Sequence, residues 1–156
     1  YSMSLGAYAE STRSAMQSCI NEKHLDKLVT ITNPLDINPG ADDEVHAHMA
    51  ELMLNDEGID AVVIGLDPHS PVTHTLAETD VEAFRMGAPG GILERLSAVR
   101  ERFRKPLVAV VDGGAQFEPF RNALRERNIP VFPVCDRAIA TLSLYMEARL
   151  MVKGLV

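Results

Sequence analysis

The sequence has no Trp, only two Cys, and aromatic residues at just 5% of 156 positions. Each shortage narrows what the chain does. Cys19 and Cys135 are too few and too far apart for a disulfide framework or a zinc-binding set, so a reducing cytoplasm is the expected setting. No apolar run approaches the roughly 20 residues that cross a bilayer, and the amino terminus lacks the basic-then-apolar order of a secretion signal. Positive charge is scarce too: 15 Lys and Arg face 22 Asp and Glu, for a net charge of -7. That balance argues against a nucleic-acid backbone as partner, because binding phosphates needs a clustered basic surface. The one basic cluster, Arg100 to Lys105, falls at the end of a predicted helix. Three motifs are missing as well: a G-x-G-x-x-G after a strand, a G-x-x-x-x-G-K-[ST] phosphate loop and a G-x-S-x-G elbow. Their absence argues against a self-contained nucleotide hydrolase or dehydrogenase. The chain opens with Tyr1-Ser2 rather than Met, which fits a segment excised from a longer polypeptide.

What is present describes an ordinary globular domain. Apolar residues make up 46% and charged residues 24%, with ten Gly and nine Pro. A chain of this length forms one domain and buries roughly 70% of the surface its unfolded form exposes. Thr12, Ala15, Met16, Cys19 and Ile20 share one helical face and predict an opening helix, with Ser4 or Ser11 as cap, inside a helical lead-in over residues 1–25. A β-branched approach then leads to a short strand predicted at residues 35–37, after Pro34. Asp42 and Asp43 suit a helix amino terminus, and Val45, Met49, Leu52 and Met53 give that helix its buried stripe.

Residues 59–66 and 107–111 are nearly unbroken apolar runs of strand length, as expected for strands buried on both faces. A third such strand is expected at residues 131–134. Between them lie a helix with Ile92, Leu93, Leu96, Val99 and Phe103 inward and another marked by Phe117, Phe120, Ala123 and Leu124. Asp136 is expected to cap a last helix with Ile139, Leu142, Tyr145 and Met146 inward. Strand and helix thus alternate four times after the opening helix. This pattern predicts a single three-layer α/β/α domain over residues 1–156 with a flavodoxin-like, mostly parallel sheet.

Ligands of open parallel sheets bind beyond the carboxyl ends of the strands. Four loops qualify, at residues 38–42, 67–75, 112–115 and 133–136. The first three are rich in Gly, small and hydroxyl residues that leave amide groups accessible near helix starts, which favours an anion such as phosphate. The same residues also serve plain turning. His46 and His48 point about 200° apart on one helix and cannot jointly hold a metal. His24, His69 and His74 read best as solvated loop histidines, although the last two flank the 70–73 loop at the expected ligand edge. Cys135, at a helix start, reads as a packed small side chain.

The segment Thr32-Asn33-Pro34-Leu35-Asp36-Ile37-Asn38-Pro39-Gly40-Ala41 resembles the N-P-[VL]-D-[IL] opening of the last flavodoxin-like subdomain of ADP-forming acyl-CoA synthetases. That subdomain is similar to the carboxyl-terminal domain of the succinyl-CoA synthetase β subunit. Gly58-Ile59-Asp60-Ala61-Val62-Val63-Ile64, Lys105-Pro106-Leu107-Val108-Ala109 with Gly113-Gly114, and Asn128-Ile129-Pro130-Val131-Phe132 before Asp136-Arg137-Ala138 follow in the same order.

The resemblance implies a succinyl-CoA synthetase domain-like fold and a module, inactive alone, of an enzyme that turns acyl-CoA, ADP and phosphate into carboxylate, CoA and ATP. The implied partners are a CoA-binding Rossmann domain, a phosphohistidine subdomain and an ATP-grasp domain. ADP or ATP, CoA and Mg2+ are expected for the complete enzyme, and no cofactor in this domain itself. The phosphorylated histidine belongs to the other subdomain, and neither His69 nor His74 matches it. Helix starts after residues 38–41 and 70–73 would face it. The residues implied there are Asn33, Asp36, Asn38, Gly40, Ala41, Ser70, Val72, Thr73, Gly113 and Gly114. The sequence departs from the β-subunit pattern at Asn38-Pro39-Gly40 and His69-Ser70-Pro71, where glycines are usual, and residues 76–91 form a longer connection. The alternative is a non-catalytic module of the same fold that binds a phosphate-bearing metabolite or mediates assembly. A flavin carrier is disfavoured by the shortage of aromatic rings.

Overall fold

The computed structural model describes residues 3–37 and 40–154, with only the backbone at Ala83. Helix α1 (Glu10–Glu22) leads into an extended stretch, followed by α2 (Asp43–Asn55), β1 (Val62–Leu66), α3 (Ile92–Arg102), β2 (Leu107–Val111), α4 (Glu118–Glu126), β3 (Val131–Phe132) and α5 (Cys135–Val152). The three strands form a parallel sheet in the order β1-β2-β3, with Val62 opposite Leu107 and Ala109 opposite Val131. The architecture is the expected flavodoxin-like α/β fold.

Alternation along each strand sorts side chains onto two faces. Val62, Ile64, Leu66, Leu107, Ala109, Val111 and Val131 enter a large core that also takes Met16 and Ile20 of α1, Val45 and Met49 of α2, Leu96 of α3 and Phe120 and Leu124 of α4. Val108 and Val110 point the other way, where Ala138 and Leu142 of α5 complete a much smaller cluster. All five β2 residues are buried, whereas β1, at the edge, leaves Gly65 exposed.

Several expectations need correction. Among the described residues, 35–37 form no strand, so three strands stand where four were expected. Asn33 is drawn aside, its amide donating to the Gly6 carbonyl at 2.7 Å, and the Thr32 hydroxyl folds back onto the Pro34 carbonyl. A cleft of about 220 Å³ lies between Leu35, Asp36 and Ile37, the α2 side chains His46 and Met49, and the free edge of β1, so the segment runs alongside β1 without hydrogen-bonding to it. Helix α1 is capped by neither Ser4 nor Ser11. Its N-cap is Ala9, whose amide donates to the Asp56 carboxylate at 2.8 Å. Likewise α5 begins one residue before Asp136, after Val134, without a side-chain cap. Tyr145 turns outward and Ser143 takes an inward place. Cys135 is exposed rather than packed, while Cys19 is buried.

Asp56 ties the amino end of the molecule together. Besides Ala9, its carboxylate accepts the Gly58 amide at 2.8 Å, and its carbonyl accepts Lys105 Nζ at 2.5 Å. A hydrogen bond from Thr12 is the main reason its carboxyl is held below the usual range, helped by those two amides and by Lys105. One buried side chain thus fixes the start of α1, the end of α2 and the approach to β1.

Candidate functional site

The carboxyl ends of β1 and β2 open onto the 67–75 and 112–115 loops, and the first of these also reaches the start of α2. Asp43, the first residue of α2, is buried. Its carboxylate accepts the His74 amide at 3.2 Å and makes a short contact with His74 Nδ1. Gly91, the N-cap of α3, presses on the same ring: a Cβ there would sit 3.2 Å from the His74 Cβ. The starts of α2 and α3 therefore meet at His74, which is half-buried rather than a solvated loop histidine. Toward β2, His69 packs edge-on against Phe117 with ring centroids 4.8 Å apart. Gly113 sits so tightly beneath Phe117 and Pro68 that a Cβ would lie 2.6 Å from the Phe117 ring.

Arg121 of α4 closes this corner. Its buried guanidinium donates to the carbonyls of Val111 at 3.1 Å, Gly113 at 3.3 Å and Gly114 at 3.0 Å, and pairs with Glu118 at 2.7 Å. Arg125, together with Arg121, holds the Glu118 carboxyl below its ordinary range. The turn after β2 thus directs its carbonyls inward to a cation of its own.

The sequence-predicted residues separate into three groups. Ser70, Val72, Thr73, Gly113 and Gly114 gather at the carboxyl edge, and Gly40 and Ala41 lead into α2 beside them. Asn33 reaches Gly6, which itself packs on Ile59 before β1, at the opposite end of the sheet. Asp36 lines the β1-edge cleft. Asn38 lies outside the described residues. No α-helix starts directly after residues 70–73. The chain instead makes a bridge between Leu76 and Arg85 and a 3-10 turn, and α3 begins only at Ile92.

Amides of the 67–75 loop and of the first turn of α2 are engaged. Asp42 Oδ1 accepts Val45 N at 2.9 Å, and Lys23 pairs with Glu44 at 2.6 Å and Asp42 at 3.5 Å. In the 67–75 loop, the His69 amide bonds to the Asp67 carboxylate, Ser70 to the Asp67 carbonyl, Val72 to the Ser70 hydroxyl and Thr73 to the Ser70 carbonyl. An incoming anion at α2 would meet three acidic residues ahead of the helix dipole. Among the described residues, no group of three or more His, Cys, Asp or Glu is placed to hold a metal ion. A second cleft, of about 230 Å³, runs between α2 and α3 past His48 and Arg102, away from the carboxyl edge. No described helix is long and apolar enough to cross a membrane.

Asp43 and Arg121 were missed in the sequence, yet each carries a signal. Asp43 shares its helix face with Ala47, Ala50 and Leu54, and Arg121 stands four residues after Phe117 and three before Leu124. A charge in an apolar stripe needs a buried partner.

No family model and no curated protein sequence matches the chain. A solved structure does. The crystal structure of PH0766 from Pyrococcus horikoshii OT3 superposes with a TM-score of 0.60 at 18% identity, over 84% of this chain and 26% of that one. PH0766 has the CoA-ligase, succinyl-CoA synthetase-like fold. The likeness shows a shared α/β fold, and this chain spans about a quarter of its neighbour.

Proposed function

We propose that this chain is a module of an ADP-forming acyl-CoA synthetase and works only beside the domains that hold CoA, the phosphohistidine and the nucleotide. The observation that carries this reading is the coincidence of two independent features. The motifs from Asn33 to Ala138 run in the synthetase order, and the domain they build matches one quarter of a protein with the CoA-ligase-like fold. In this reading the carboxyl edge around Ser70, Thr73, Gly113 and Gly114 abuts the phosphoryl site of a neighbouring subdomain. Phosphoryl transfer depends chiefly on positioning and charge stabilisation, so a rigid wall contributes without a nucleophile of its own. Arg121 makes that wall rigid.

A second reading is favoured by the engaged amides and the acidic start of α2: a non-catalytic assembly module of the same fold. One assay separates the two. The natural polypeptide or subunit set that contains this chain is incubated with acyl-CoA, ADP, phosphate and Mg2+, and ATP is read by luciferase. ATP formation supports the synthetase module, and no turnover with any acyl-CoA supports the assembly module.

A further inference from the structure

We infer that residues 35–37 are a strap that closes onto the free edge of β1 as a fourth parallel strand, and that its closure is felt at the carboxyl edge. The stretch is built like a strand although it is not bonded as one. Val29 and Ile31 are buried and Asn33, Leu35 and Ile37 half-buried, whereas Thr30, Thr32, Pro34 and Asp36 between them are exposed. That unbroken period of two is how a chain lies along a sheet. Its direction fits as well. Asn33 is anchored on Gly6 near the approach to β1, and through Gly40 and Ala41 the chain enters α2 beside the carboxyl edge, so the strap runs the same way as β1.

The edge it faces is unfinished. The Val62 amide donates to the Pro106 carbonyl at 2.9 Å, toward β2, and amide directions alternate along a strand. The polar groups of Ala61, Val63 and Gly65 therefore point away from β2, and among the described residues none of them finds a partner there. Unpaired backbone groups on a half-buried margin are costly, and a bare edge favours pairing with an extended chain. One register satisfies both sides. With Leu35 opposite Val62 and Ile37 opposite Ile64, all four side chains stay on the core face, where they already pack. Leu35 then donates to the Ala61 carbonyl and accepts from the Val63 amide, and Ile37 donates to the Val63 carbonyl and accepts from the Gly65 amide. Pro34, which has no amide hydrogen, falls where the polar groups face away from β1. Closure narrows the cleft of about 220 Å³ while Asn33 keeps its anchor. Beyond the strap, Ala41 is buried and Asp43 holds His74, so the movement reaches the 67–75 loop.

NMR of the 156-residue chain tests this. Scalar couplings across the hydrogen bonds from Val63 N to the Leu35 carbonyl and from Gly65 N to the Ile37 carbonyl are expected, a signal that burial alone does not produce. Ile37→Pro removes one donor of the ladder and should speed amide exchange at Val63 and Gly65 by at least roughly tenfold, with Leu96 of α3 still slow as the sign that the fold survives. The His74 ring signals should move in the same variant. Absent couplings in the wild type, or exchange at Val63 and Gly65 indifferent to Ile37→Pro, overturn the strap. His74 signals that stay in place overturn its link to the carboxyl edge.

Discussion

The two faces of the sheet are built from the same strands but finished differently. One is sealed by α1 to α4 around Met16, Leu96, Phe120 and Leu124, all fully buried. The other has α5, joined by Met3 of the amino-terminal segment, set on Val108 and Val110, with Val63 and Phe132 only partly covered. The difference teaches that the first face holds most of the enclosed apolar core, while the second is only thinly covered.

The same substitution on the two faces sharpens this contrast. Leu96→Ala should cost about 4 kcal/mol in urea unfolding, because a fully enclosed site cannot collapse around the missing atoms, and Phe120→Ala a similar amount. Leu142→Ala, beneath α5, should cost about 2 kcal/mol, since its neighbours are free to close in. Equal losses would break the comparison.

Asp56→Asn should cost about 2 kcal/mol, from bonds to a carboxylate that joins α1, α2 and the approach to β1. Its pH dependence has a definite sign. The folded carboxyl is held below the ordinary value of about 3.9, so its contribution is fully present above that value and fades as pH falls through the lower folded one. Below about pH 4, acid unfolding of the wild type should therefore be steeper than that of Asp56→Asn. Last and smallest, Leu144→Glu on the outer side of α5 should change the unfolding free energy of the monomer by less than about 0.5 kcal/mol.

Much of the fold was legible because burial on both faces writes an unbroken apolar run, as at residues 107–111, and a one-sided helix writes a stripe such as Ile92, Leu93, Leu96 and Val99. Residues 35–37 were misread because β-branched composition signals an extended chain but not whether a neighbour lies close enough to pair. Tyr145 was misread because α5 is apolar on both sides, so periodicity cannot say which faces the sheet. The edge loops were located by topology alone. What fills them was hidden: the Asp43–His74 pair joins residues 31 apart, and Arg121 reaches back to the turn before its own helix.

The central claim, that this domain serves an acyl-CoA synthetase, is tested most directly by counting products in the complete natural protein supplied with acyl-CoA, ADP, phosphate and Mg2+. The account predicts one ATP for each CoA released, and a slower rate at the same ratio in Gly113→Ala, whose Cβ would strike Phe117 and displace the turn proposed to border the phosphoryl site. CoA release without ATP, or a Gly113→Ala protein that folds and turns over at the wild-type rate, would contradict it.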